Sequence, residues 1–192
     1  MGGPCYFGDD KETAPDCTDN FQIVQSMFSA YGHEWHSIEQ AFQALKFPKG
    51  SIGRNVILNS SPEEMEGSGP YGIRVWIYGR RGPPNFPEWV IRKNWDLEKV
   101  KVMYILNLAK YASNESFQRD LVNVTNEHRI IGQPSTDSRR HGKNWKFWNE
   151  NIQTAIRRLV AEGADLHDVI TSVEGMSGER VEEILMGESN ED

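Results

Sequence analysis

The sequence predicts an α+β fold, mostly helical, with a small N-terminal β-sheet packed by helices. Three observations predict it. Apolar residues recur at helical spacing from Asn94 to Tyr111 and again from Trp145 to Val160. Helix-start signals stand at Ser37 and Ser61. Before His36 the apolar runs are only a few residues long and alternate with turn-forming residues, as short strands require.

In chain order, Cys5–Phe7, Phe21–Val24 and Met27–Tyr31 supply two or three short strands, and Tyr31-Gly32-His33 reads as a hairpin turn. Ser37 and Gln40 have the capping-box spacing, and Pro48 ends the helix that follows just after Phe47. Ser61-Pro62-Glu63-Glu64 has the same spacing with Pro at the first helical position, which predicts a second, short helix. Gly67 to Gly72 reads as a flexible interruption, and Ile73 to Tyr78 suits a strand or a buried helical turn equally. Gly82-Pro83-Pro84 and Pro87 break the chain. The helix from Asn94 to Tyr111 offers Leu97, Val100, Met103, Tyr104, Leu106 and Leu108 as its apolar positions. Ser116–Val122 predicts a shorter helix, His128–Ile131 a strand, Pro134–Gly142 a polar loop, and Trp145–Val160 a core helix closed by Gly163. Two short helices follow, at Asp165–Val173 and Ser177–Met186.

Charge divides the chain. The net charge is −7, yet Glu162 to Asp192 holds ten acids against one base, Arg180, so the preceding residues are close to neutral. We therefore expect a main domain over residues 1–162 and an acidic helical extension over 163–192. Basic clusters remain at Arg80-Arg81, at Arg92-Lys93, and at Arg139-Arg140 with Lys143 and Lys146; they permit a phosphate-bearing ligand. No apolar run approaches the roughly 20 residues that span a bilayer, so no membrane partner is expected. The first ten residues lack the layout of a secretory signal, and Cys5 and Cys17 form no disulfide framework. These features predict an intracellular protein, cytoplasmic or nuclear. The five histidines are scattered and provide no metal-ligand spacing, and no phosphate-binding or dinucleotide-binding glycine pattern occurs, so neither a metal nor a cofactor is expected.

The chemistry concentrates between Trp35 and Phe47. On a helix, Glu39, Phe42, Gln43 and Lys46 stand at i, i+3, i+4 and i+7 and form one stripe. The stripe is either a solvated polar face or a functional one; Ala41, Ala44 and Leu45 offer little as the only buried face. A carboxylate suits the oxocarbenium-like state of ribosyl–nitrogen cleavage. A partly desolvated Lys46 suits an amine nucleophile that forms an imine with the sugar. Trp35, at the helix entry, suits either stacking on a base or core packing.

These residues, read as W-x-x-x-E-x-x-F-Q-A-x-K-F, resemble the signature of the NADAR (YbiA-like) family of N-glycosidases. Further matches follow in order: the aromatic opening Tyr6-Phe7-Gly8, Asn20-Phe21, Ser60-Ser61-Pro62 and Gly79-Arg80. Arg92-Lys93-Asn94-Trp95, with Lys99 and Val102-Met103, is similar to the family's R-x-x-W-x-x-V-K-x-x-V-M helix, with Glu98 in place of a Val. Ile130-Ile131 and Asp137 keep the spacing of its L-V-E…D element, but Gly132 stands where the Glu would be, and Arg140-His141 where W-G would be. The resemblance spans about residues 5 to 160.

It implies a NADAR (YbiA-like) fold and hydrolysis of ribosylated bases, either early riboflavin-pathway intermediates or ADP-ribosylated guanine in nucleic acid. On that pattern Glu39, Lys46 and Asp137 are catalytic. Phe7, Gly8, Asn20, Phe21, Trp35, Gln43, Gly79, Arg80 and Trp95 shape the ligand site. Arg139, Arg140, Lys143 and Lys146, arriving where the family has W-G and a Gly-rich stretch, tilt the expectation toward an ADP-ribose-containing ligand, with nucleic acid carrying ADP-ribosylated guanine as the partner. A pocket that binds ADP-ribose or nucleic acid without cleaving it is the competing reading.

Overall fold

The computed structural model describes residues 5–7, 12–13, 15–81, 90–126, 128–133 and 143–187. The expected class is what the chain adopts: helices dominate, with two small antiparallel sheets. The calls at Gly82–Pro87 and Pro134–Gly142 lie outside the described residues.

Strands β1 (Tyr6–Phe7) and β2 (Glu12–Thr13) pair antiparallel, and β5 (Ile130–Ile131) joins the other side of β1 in the order β2-β1-β5. Tyr6 faces Ile131 and Phe7 faces Ile130 in register, so the start of the chain is tied to a segment far along it. A second sheet is the hairpin of β3 (Phe28–Ala30) and β4 (His33–Trp35). Its two-residue turn is the predicted one. Tyr31 (φ 53°) and Gly32 (φ 74°) both take positive φ, the geometry that matches the twist of paired strands.

Helix α1 (Ile38–Leu45) begins as the capping signal demands: Ser37 Oγ accepts from the Gln40 backbone N–H at 3.2 Å. Gln40 Oε1 in turn accepts from the His36 N–H at 3.0 Å. The Gln40 amide then donates to the carbonyls of Ile57, Leu58 and Ser60, which pins the end of helix α2 (Ile52–Leu58) to α1. That helix has no counterpart in the sequence reading; it is capped by Ser51, whose hydroxyl accepts from the Arg54 N–H.

The second capping box does not open a helix. Residues 61–63 form no helix or strand, and Met65, in the turn that follows, has φ 63°. Beyond the box, Glu66 pairs with Arg74 at 2.5 Å, and Arg74 also donates to the Ser61 carbonyl. The Arg74 bond to the Ser61 carbonyl holds the residue that would cap such a helix. Gly67 to Gly72, read as an interruption, instead leads into helix α3 (Ser68–Arg81), which also absorbs Ile73–Tyr78. Gly72 is the reason α3 can lie where it does: a Cβ there would stand 2.3 Å from the Phe21 ring.

Helix α4 (Trp95–Ala112) is the central element, and every residue from Val102 to Tyr111 is buried. Five of its six expected apolar positions are core; Leu97 is not, being 54% exposed. It is the Leu97 carbonyl, rather than its side chain, that packs, closing on Gly178 so tightly that a Cβ there would be 1.9 Å away. Lys110 is fully buried and donates to the carbonyls of Cys17 and Asp19, anchoring the 3₁₀ turn Asp16–Thr18 to α4. Beside it, Tyr111 Oη donates to Gln153, whose amide donates to Asn107, so this polar interior is satisfied. Cys5 and Cys17 are buried free thiols.

Helices α5 (Glu115–Thr125) and α6 (Trp145–Ala161) follow, the latter capped by Asn144 and closed by Gly163 at φ 73°. Helices α7 (Leu166–Glu174) and α8 (Gly178–Gly187) lie on α4 and add Leu166, Val173, Val181 and Leu185 to the same apolar core. No helix among the described residues is long and apolar enough to cross a membrane.

Candidate active site

The stripe of Glu39, Phe42, Gln43 and Lys46 on helix α1 is not a solvated polar face. All eight residues of the helix are buried, because α2, α3 and α4 close around it. Glu39 and Gln43 have no exposed surface, while Lys46, at the C-terminal cap, is half-buried.

The three polar side chains bond in series. The Gln43 amide donates to Glu39 Oε1 at 2.5 Å, and the Lys46 ammonium donates to Gln43 Oε1. The amide dipole thus lies between carboxylate and amine, with its positive end toward the acid. Glu39 Oε2 is enclosed and has no hydrogen-bond partner among the described residues. Such an atom costs free energy on the order of 1–3 kcal/mol, which is the kind of strain kept at functional positions.

Both titrating groups are moved toward neutrality. Burial pushes the Glu39 carboxyl up to about 7; the Gln43 hydrogen bond and the Lys46 charge oppose it. Burial brings the Lys46 amine down to about 8, with Glu39 opposing and the charges of Lys99 and Arg80 assisting. An acid and an amine held near neutral pH are equipped for proton transfer and for nucleophilic attack.

Gly79 makes this series possible. A Cβ at that position of α3 would stand 1.9 Å from Gln43 Oε1, so α3 meets the relay only because the side chain is missing. The next residue, Arg80, is exposed, with its guanidinium 5.2 Å from the Trp76 ring centre. On the other side an aromatic wall rises. Phe42 lies edge-on to Trp95 at 4.8 Å and to Trp145 at 5.3 Å, and the Lys46 amine is 5.8 Å from the Phe42 ring. The Lys46 carbonyl accepts from the Arg92 N–H at 2.9 Å, which brings the segment before α4 to the end of α1.

Asn20 is buried beside this group: its carbonyl accepts from the Glu39 N–H at 2.9 Å, and its Oδ1 has no partner. Its amide reaches Asn149 Oδ1 at 3.5 Å, a long contact. Phe21 packs against Gly72. Trp35 is fully buried and its indole donates to the Ala30 carbonyl at 2.9 Å, locking the hairpin. Phe7 lies in β1 by its backbone; its side chain, with Gly8, Asp137, Arg139 and Arg140, lies outside the described residues.

The sequence reading missed Trp145 and Asn149 as neighbours of the site. Their signal was available: Trp145, Trp148, Asn149, Ile152 and Ile156 form the buried stripe of α6, and an Asn on such a stripe stands out. Gly132 has a structural explanation. A Cβ there would be 2.1 Å from the Lys146 carbonyl, so the first turn of α6 occupies the place a side chain would need. Among the described residues no group of three or more His, Cys, Asp or Glu could hold a metal ion. The apolar cavity of about 200 Å³ between α4, α6, α7 and α8 lies away from Glu39. Models of known protein families, curated proteins and solved structures were each compared with the chain, and none matches.

Proposed function

We propose that the protein is an N-glycosidase that removes ADP-ribose from ADP-ribosylated guanine in nucleic acid. The observation that carries this reading is the buried Glu39–Gln43–Lys46 series with one carboxylate oxygen unused. In the proposed reaction the Lys46 amine attacks the anomeric carbon; the carbon–nitrogen bond to guanine and the ring C–O bond break, and the protons go to guanine and to the ring oxygen. Water then hydrolyses the imine, releasing the sugar and restoring the amine. Glu39 stabilises the cationic carbon and accepts the proton of the attacking water. The Phe42–Trp95–Trp145 wall supplies a low-dielectric surface beside the amine.

The test is to incubate the protein and its Glu39→Gln variant with an oligonucleotide bearing ADP-ribosyl-guanine and to detect free ADP-ribose by mass spectrometry. Release by the parent alone supports the reading. If neither releases it, ribosylated riboflavin intermediates are tried next, and cleavage of those alone replaces the substrate. The filled position beside Gly132 favours a second reading, a pocket that binds ADP-ribose without cleaving it. Tight binding with no product of either kind selects that one.

A further inference from the structure

The acidic extension leaves a cavity where it meets the main domain. About 200 Å³ of space lies between α4, α6, α7 and α8. It stays open because the extension is held at backbone points on either side of the gap. The Ala164 N–H donates to the Leu159 carbonyl at 2.9 Å, which fixes the step from α6 to α7. Lys101 of α4 donates to the carbonyls of Glu174 and Met176 at 2.8 and 2.6 Å, which fixes the turn before α8. The Leu97 carbonyl closes on Gly178 and fixes the start of α8. The spacing of the helices is set at these points, and Ala155 on α6 and Val181 on α8 are too short to fill what is left between them.

The lining sorts by depth. Ala155, Val173 and Val181 line the cavity and are buried, so they form its floor. Arg158 and Ser172 line it and are exposed, so they mark its mouth. Apart from these two and the Tyr104 hydroxyl, the lining is apolar. Such a cavity holds no water, and its walls lack contacts until an apolar group enters. A cavity of about 150 Å³ accepts a six-carbon ring, so this one has room for about eight carbon atoms. The mouth decides the other end of the occupant. A guanidinium only donates, and its several N–H groups serve more than one partner, so the atom facing Arg158 is an acceptor. The positive charge favours a carboxylate there over a neutral carbonyl.

We propose that the cavity binds a small monocarboxylic acid, its chain of about eight carbons against Ala155 and Val181 and its carboxylate at Arg158. Such a ligand touches α6 as well as α7 and α8, so its binding ties the extension to the main domain. The site is separate from Glu39 and Lys46 and independent of the N-glycosidase reading.

The experiment is calorimetric titration of the full chain with octanoate and with octanol. It is repeated on Arg158→Gln and on Ala155→Leu, whose longer side chain fills the cavity, after their thermal melts are checked. Val169→Leu, at a half-buried position of the same lining, takes over if Ala155→Leu fails to fold. Octanoate is expected to bind the parent and to raise its melting temperature. Arg158→Gln should weaken octanoate by about fivefold or more and leave octanol unchanged, while the filling variant should lose both. The parent with methyl-labelled methionine gives an answer without a variant: the Met176 methyl resonance moves as octanoate is added. No octanoate bound by the parent, equal binding by a folded filling variant, or an unmoved Met176 resonance overturns the site. Octanoate binding unaltered in Arg158→Gln, or octanol binding falling with it, overturns the place of the carboxylate at Arg158.

Discussion

Gly79 of α3 and Gln43 of α1 are packed so closely that a single added methyl group at 79 would stand 1.9 Å from the Gln43 side-chain oxygen. Because that oxygen receives the Lys46 ammonium and the same amide donates to Glu39, the contact between two helices governs the geometry of the whole series.

Gly79→Ala is therefore expected to destabilise the protein by about 1–3 kcal/mol and to displace Gln43. Thermal unfolding measures the first effect. Turnover should fall further than the fraction of folded protein does; a loss of activity no greater than the loss of folded material would contradict the dependence of the site on this contact.

Glu39 makes stability depend on pH. Its carboxyl is held near 7 in the fold against 4.5 ordinarily, so the folded state binds the extra proton. Its stabilising contribution is complete below about pH 4.5 and is lost as pH rises through about 7. Glu39→Gln, which cannot ionise, should match the parent in acid and exceed it by roughly 3 kcal/mol in mild alkali. Chemical denaturation across that range tests this. Curves that stay parallel would show that Glu39 does not titrate as its burial requires.

Lys46 sets the opposite demand. Its amine, at about 8, is mostly charged at neutral pH, so imine formation should accelerate as pH rises through about 8 and then level. Lys46→Arg stays charged throughout and should lose activity by at least about 100-fold at every pH. Borohydride trapping of the parent with substrate, followed by mass spectrometry, should leave the sugar on Lys46; trapping on another lysine would reassign the nucleophile.

Gly132→Glu would restore the acid that the resemblance expects. The Lys146 carbonyl occupies that space, so the substitution should lower stability by several kcal/mol and bring no gain in turnover. A stable, more active variant would mean that the first turn of α6 can withdraw.

Several elements defined by one segment of chain were legible in the sequence, although α2, with its own Ser51 cap, was missed. Ser37 and Gln40 start α1, Tyr31-Gly32 turns the hairpin, and the stripe of α4 is core from Val100 onward. Two other failures are places where a residue elsewhere in the chain intervenes. Arg74 takes Glu66 and the Ser61 carbonyl, and the predicted helix there does not form. Phe21 lies on Gly72, and a stretch that reads as a break continues as helix.

The sequence by itself determined which groups are present on α1 and their order along one face, because helical spacing is a local property of the chain. It could not decide whether that face meets water. Helices α2, α3 and α4 close over it, and the loss of water raises the carboxyl of Glu39 and lowers the amine of Lys46. The shifted titration of the pair belongs to the tertiary structure, since desolvation depends on residues remote in sequence and near only in the fold.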